Sequence, residues 1–269
     1  MNLPNSVKKS SRKIWQKWSI AIRITPFIIL IGILKALSHN FALEVIELNA
    51  LFTSLVAGTI FLIGFLISGV LSDYKESEKL PSELSASMKS LFDDTYTIYK
   101  SKDTQTAAEF LEFQNSFCSS LLDWFYKNEK TESILSKISD MNHYFIELDK
   151  EGIQMGYIIK MKNEQNSLRK MILRIDTIRD TDFIGSAYAI LEAMGILIGC
   201  CLLIIKIEPF YASLFFTLVV TFLITYMFKL IKDLDNPFDY SSNGESGTEI
   251  SLKPIHDLKK ALNNFMKKI

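Results

Sequence analysis

The sequence predicts an all-α membrane protein, with four transmembrane helices in two hairpins and a cytoplasmic helical domain inserted between the second and third spans. Three observations carry this. First, Leu48–Ser72 and Pro209–Phe228 contain no charged residue, and a run of about 20 apolar residues is long enough to cross a hydrocarbon core roughly 30 Å thick. Second, residues 73–182 repeat apolar side chains at three- and four-residue spacing, the period of a helix with one buried face. Third, the basic residues gather on one set of connections, which the positive-inside rule places in the cytoplasm.

Residues 1–19 form a basic tail with Lys8, Lys9, Arg12, Lys13 and Lys17. The apolar stretch after it begins late and has no small-residue cleavage site before the next span, so it is expected to be retained rather than removed as a signal peptide. The first span is expected over 20–37. Arg23 and Lys35 lie near its ends, where long basic side chains reach the interfaces, and Trp15 and Trp18 suit the headgroup level. Pro26 falls in its first turns or kinks it. The second span, 49–71, is the clearest. The link between these two holds Glu44 and Glu47 but no Lys or Arg.

The central domain reads as helices. Leu80, Leu84, Met88 and Leu91 share a face, as do Phe110, Phe113, Phe117, Leu121 and Trp124. Ile134, Ile138, Met141, Phe145 and Leu148 follow the same rule, and so do Leu168, Met171, Ile175 and Ile178. Breaks are expected at Lys102–Thr104, Asn128–Thr131 and Gly152, with Asp103 or Thr104 and then Thr131 as N-caps. Trp124 and the phenylalanines of this region read as core. The third span, 183–205, carries one charge, Glu192. The fourth, 209–230, opens on Pro209, a helix-starting residue. Residues 231–269 form a cytoplasmic tail that is turn-rich after Asp235 and closes on a short basic amphipathic helix over about 255–269.

The 30 basic and 30 acidic residues balance, whereas a nucleic-acid partner calls for a basic excess or stripe. Cys118, Cys200 and Cys201 form neither a disulfide framework nor a metal knuckle and read as packing residues. His39, His143 and His256 are far apart. The sequence has no Gly-rich phosphate loop, no G-x-S-x-G and no H-E-x-x-H. It therefore points away from an enzyme and implies no cofactor, leaving transport, sensing or assembly.

One face of the second span stands out. Asn49, Thr53, Ala57, Phe61, Phe65 and Gly69 are four residues apart and so drift slowly around a helix. Ser54, Gly58 and Ser68 add small positions near it. Such a face suits close helix packing in lipid. It equally suits a pore lining, in which symmetry-related copies stack Phe61 and Phe65 into rings. Phenyl edges are positive and can face an anion, and apolar rings can also gate by dewetting.

Phe61-Leu62-Ile63-Gly64-Phe65, then Tyr74, then Glu78-Lys79-Leu80-Pro81, resembles the pore-helix region of the bestrophin family, an F-x-x-G-F neck followed by an E-N-L-P stretch, with spacing that differs by one residue. Asp233-Leu234-Asp235-Asn236-Pro237-Phe238-Asp239-Tyr240 and Ser251–Leu258 resemble the family's acidic segment after the last span and the short stretch beyond it. Asp73-Tyr74-Lys75-Glu76 also resembles the bestrophin-like membrane proteins of bacteria. The resemblance covers both ends of the chain; the middle matches only as helices.

The resemblance implies a homopentameric ion channel of the cell membrane with both termini cytoplasmic. The second helix would line the axis, with Phe61 and Phe65 as neck residues. Ala57 would be the outermost neck position, where the family more often has a larger apolar residue, giving a wider outer neck. Members of the family conduct anions or cations; small anions such as chloride are favoured here. The family's acidic clasp binds calcium in animal members, and Asp233, Asp235, Asn236 and Asp239 match it loosely as hard-cation ligands, though a solvated helix end has the same composition. Glu192 is an intramembrane carboxylate, costly there and by default a functional candidate, set against a bland position near the cytoplasmic end facing protein or water. The rival reading from another class is a non-conducting sensor or scaffold acting through its central helices.

Overall fold

The computed structural model describes residues 5–180, 185–240 and 249–267, and of residues 5–17 the backbone alone. The first residues expected in the third span, Phe183 and Ile184, and most of the turn-rich stretch after Tyr240 lie outside the described residues. The structure is all-α apart from one two-residue pairing. The elements are α1 (Asn5–Asn40), β1 (Ile46–Glu47), α2 (Ala50–Ser77), α3 (Leu80–Lys102), α4 (Gln105–Phe125), α5 (Thr131–Lys150), α6 (Met155–Asp180), α7 (Gly185–Ile204), β2 (Ile205–Lys206), α8 (Phe210–Asp235) and α9 (Lys253–Met266). Four of the helical stretches are long and apolar enough to cross a membrane; they contain α1, α2, α7 and α8. The chain divides into two units, Met1–Tyr74 with Asp182–Asp235, and Lys75–Thr181 with Asn236–Ile269.

In the first unit the buried stripes of α2 (Ile63, Leu66, Val70), α7 (Leu191, Ile198, Leu202) and α8 (Ile224, Ile231) form one apolar cluster. Helix α1 packs on α8 and α7. A Cβ placed on Gly32 would stand 3.3 Å from Leu218, so the missing side chain sets how near α1 and α8 lie, as small residues do in membrane helix pairs. Because α1 runs back to Asn5, Pro26 sits in the helix interior rather than in its first turns. It removes one ladder donor there.

Strands β1 and β2 pair in parallel, Ile46 with Ile205 and Glu47 with Lys206. Nothing in the alternation of so short a segment announces this pairing. Lys35, expected to reach outward, is instead fully buried. Its Nζ donates to the Ile205 carbonyl at 2.6 Å and meets Glu44 Oε1 at 2.6 Å. The α1–α2 connection folds Glu44 back over the helix end, and that carboxylate makes burial of the ammonium tolerable.

In the second unit α3, α4, α5 and α6 pack in sequence, α6 returns to α3, and α9 lies against α3 and α4. The predicted faces are buried: Leu84, Met88 and Leu91; Phe110, Phe117, Leu121 and Trp124; Ile134, Ile138, Met141, Phe145 and Leu148; Leu168 and Ile175. Phe110 stacks on Tyr144 and meets Phe145 edge-on, with centroids 4.7 and 5.6 Å apart. Two buried amides donate within the core: Gln114 Nε2 to Thr95 Oγ1 at 2.8 Å, and Gln165 Nε2 to the Ile138 carbonyl at 2.6 Å.

The breaks fall where turn chemistry puts them. Asp103 is left-handed at φ 48° and Thr104 caps α4 by accepting from the Ala107 N–H. Gly152, at φ 73°, closes α5, a conformation glycine adopts without strain. Thr131 is no cap: Lys130 holds that position, while the Thr131 hydroxyl accepts from Trp124 Nε1 and donates to Asp176. Pro81 stands in the first turn of α3, where its missing N–H costs nothing.

Candidate functional site

Helix α2 has two unlike faces. Thr59, Ile63, Leu66 and Val70 are buried within the first unit. On the other side Asn49, Thr53, Ser54, Ala57, Gly58, Phe61, Gly64, Phe65 and Ser68 are all exposed. The two rings are among the most exposed large apolar side chains of the chain, Phe61 at 76% and Phe65 at 70%. A Cβ on Gly58 or Gly64 would meet nothing within 4 Å. Among the described residues, none packs over this small-residue face. One turn separates Phe61 from Phe65, about 6 Å along the axis, and Ala57 lies one turn further toward Asn49. The first turn of α2 is held by Asn49, whose Oδ1 accepts from the Phe52 N–H at 2.9 Å.

Glu192 projects from α7 seven residues beyond Gly185, about 10 Å along the helix. It is exposed and lines a groove of about 400 Å³ between α1, α7 and α8. The walls are Phe27 and Ile31 of α1, Leu191, Gly195, Ile198 and Gly199 of α7, and Ile224 and Phe228 of α8. The sequence places the carboxylate; the groove needs three helices brought together.

Sequence reasoning missed two polar features of the first unit. One is the cluster at the α1 terminus. Glu44 Oε2 lies 2.9 Å from His39 Nδ1, and the His39 ring stacks on Phe210 with centroids 4.1 Å apart. Ser38 Oγ donates to the Leu203 carbonyl at 2.7 Å. Burial pushes the Glu44 carboxyl upward, but hydrogen bonds from His39 and Lys35 and the Lys35 charge outweigh it and hold it below the ordinary value of 4.5. The other is Ser213, Thr217 and Thr221 on one face of α8, all buried, with hydroxyls that find no partner among the described residues. Thr25, Thr53 and Thr59, by contrast, donate to the carbonyl four residues back. The four-residue spacing of these hydroxyls within an apolar run was the available signal.

Asp233 and Asp235 belong to the last turn of α8 in the first unit, and Asn236 and Asp239 to the second. The Asp239 carboxylate pairs with Lys127 at 2.5 Å. Among the described residues no three of His, Cys, Asp and Glu stand together as metal ligands. What this segment does show is an anchor. Phe238 is fully buried against Phe125, and the Tyr240 hydroxyl donates to the Ile250 carbonyl at 2.7 Å.

No protein-family model matches the sequence, and no curated protein matches it. Solved structures do. A crystal structure of a bacterial bestrophin homologue from Klebsiella pneumoniae, phased on zinc, superposes with a TM-score of 0.74 at 15% identity, covering 92% of this chain and 98% of that one. Two point variants of that homologue give TM-scores of 0.75 and 0.73 at 15% and 16% identity, each covering 91% of this chain and 98% and 97% of theirs. The fold is bestrophin-like. Coverage near the full length of both chains means that the bestrophin-like likeness extends over the middle, where sequence motifs fail, as well as over the ends. With four apolar helices long enough to span, this bestrophin-like chain is a membrane protein.

Proposed function

We propose that this protein is a bestrophin-like ion channel, a homopentamer passing small monovalent ions passively, with anions such as chloride favoured. In this reading α1, α2, α7 and α8 span the cell membrane as two hairpins. Residues 73–182 and the tail from 231 lie in the cytoplasm with both termini, and the α2 helices surround the axis. Phe61 and Phe65 form successive narrow rings, and Ala57 leaves the outer end wider. The edges of the phenyl rings present positive partial charge to an anion, and the same rings resist wetting when they close in.

One observation carries the reading. A face of α2 bearing two phenylalanines one turn apart, flanked by Ser, Thr and Gly, is uncovered by any of the described residues, in a chain whose fold is bestrophin-like. The test is ion flux from liposomes holding the purified protein. Chloride or sodium should pass, and Phe61→Ala should change the rate or the selectivity. Silence across voltage, pH and calcium, with protein that is folded and inserted, removes the proposal and leaves a non-conducting anchor for the helical domain.

A further inference from the structure

We propose that the groove between α1, α7 and α8 binds a single-chain amphipathic amine, its ammonium on Glu192 and its tail along α7. The groove is apolar apart from a few polar groups, the pattern of a small-molecule site. The polar residues along it are Glu192, Thr221 and Thr225, and Glu192 is the exposed charge among them. Among the described residues Glu192 makes no hydrogen bond or ion pair, and the Thr221 hydroxyl, on a residue only 7% exposed, has no partner either. A carboxylate within an apolar span needs a cation or a donor. A primary ammonium offers three donors and no acceptor, which suits an exposed carboxylate on an apolar groove.

The tail follows from length and shape. From Glu192 to Leu203, both on the groove, is eleven residues, roughly 16 Å of helix. At about 1.2 Å per bond of extended chain, that accommodates roughly a dozen carbons. Gly195 and Gly199 keep the α7 wall low: a Cβ on Gly199 would meet nothing within 4 Å. A phospholipid amine is the poorer fit. Glu192 lies about 10 Å along α7 from Gly185, and bringing it a headgroup would drag a phosphate into the same apolar walls.

Cys200 lines the groove and is exposed, so it reports occupancy directly. In full-length protein carrying Cys201→Ser, in phosphatidylcholine nanodiscs, the rate of Cys200 alkylation by N-ethylmaleimide is measured with dodecylammonium or with dodecanol. Cys118 stays silent because burial pushes its thiol up to about 11. The amine should slow alkylation at least threefold and the alcohol should not; Glu192→Gln should abolish the difference. Equal protection by the alcohol, or undiminished protection in Glu192→Gln, overturns the proposal. So does protection already present in phosphatidylethanolamine bilayers without added amine. If Glu192→Gln does not fold, the amine-against-alcohol comparison in the Cys201→Ser chain decides alone. None of these readouts depends on conduction.

Discussion

Lys35 is the residue on which local energetics turn. Its ammonium is wholly enclosed, with the Ile205 carbonyl and Glu44 as partners, and the Glu44 side chain is 7% exposed. Replacing one member of a buried pair leaves the other charge uncompensated and typically costs about 3–5 kcal/mol, whereas replacing both with groups of similar shape can be close to neutral. Lys35→Ala should therefore lower the thermal unfolding midpoint sharply, and Lys35→Met combined with Glu44→Gln should recover most of the loss. The pH dependence has a definite sign. Glu44 titrates below its ordinary value of 4.5, so its contribution to stability is present above that value. It is lost as pH falls through the lowered one. A stability-against-pH series should show an acid-side decline that Glu44→Gln removes.

At the scale of single helices, two glycines meet unlike surroundings within the protomer. Gly32 of α1 faces Leu218 so closely that an added Cβ would be 3.3 Å away, while Gly58 of α2 faces open space. Gly32→Leu should overpack the α1–α8 contact and cost about 1–3 kcal/mol, read as a lowered unfolding midpoint of the protomer. Gly58→Leu should leave that midpoint unchanged or raised, since glycine is a poor helix former, yet should weaken assembly as read by size in detergent. The face carrying Gly58 was legible in the sequence. Four-residue spacing from Asn49 to Gly69 puts those positions on one side, and the structure exposes all of them except Gly69, which is half-buried. So were the central helices, where each heptad-like run of Leu, Ile, Met and Phe became a buried stripe. The Lys35 pair was not legible, because its partners come from a loop and from Ile205, 170 positions away, and no local pattern marks that meeting. Thr131 was read as a cap because caps favour threonine. Instead Trp124 donates to that hydroxyl and Asp176 accepts from it, an arrangement visible only once α4, α5 and α6 pack together.

For the whole molecule the question is what stands opposite the exposed face of α2, water or lipid, since both phenylalanines would look alike in a single protomer. The two answers differ in what can reach position 65. A thiolate is a soft ligand that takes soft or borderline cations from water, and such a cation does not enter hydrocarbon unaided. Phe65→Cys, with Cys200 and Cys201 changed to Ser, places a thiol on that face and leaves Cys118, buried, out of reach. If copies of α2 surround an aqueous axis, the introduced thiols form a ring, and added cadmium should bind it and stop flux; a dithiol chelator should restore it. The same substitution at Ile196, an exposed α7 residue, should leave flux insensitive to cadmium. If cadmium is without effect at position 65 and a charged, water-soluble thiosulfonate fails to modify the thiol there in protein that is folded and inserted, the face looks into lipid, where the thiol stays protonated, and the axial path through Phe61 and Phe65 does not exist.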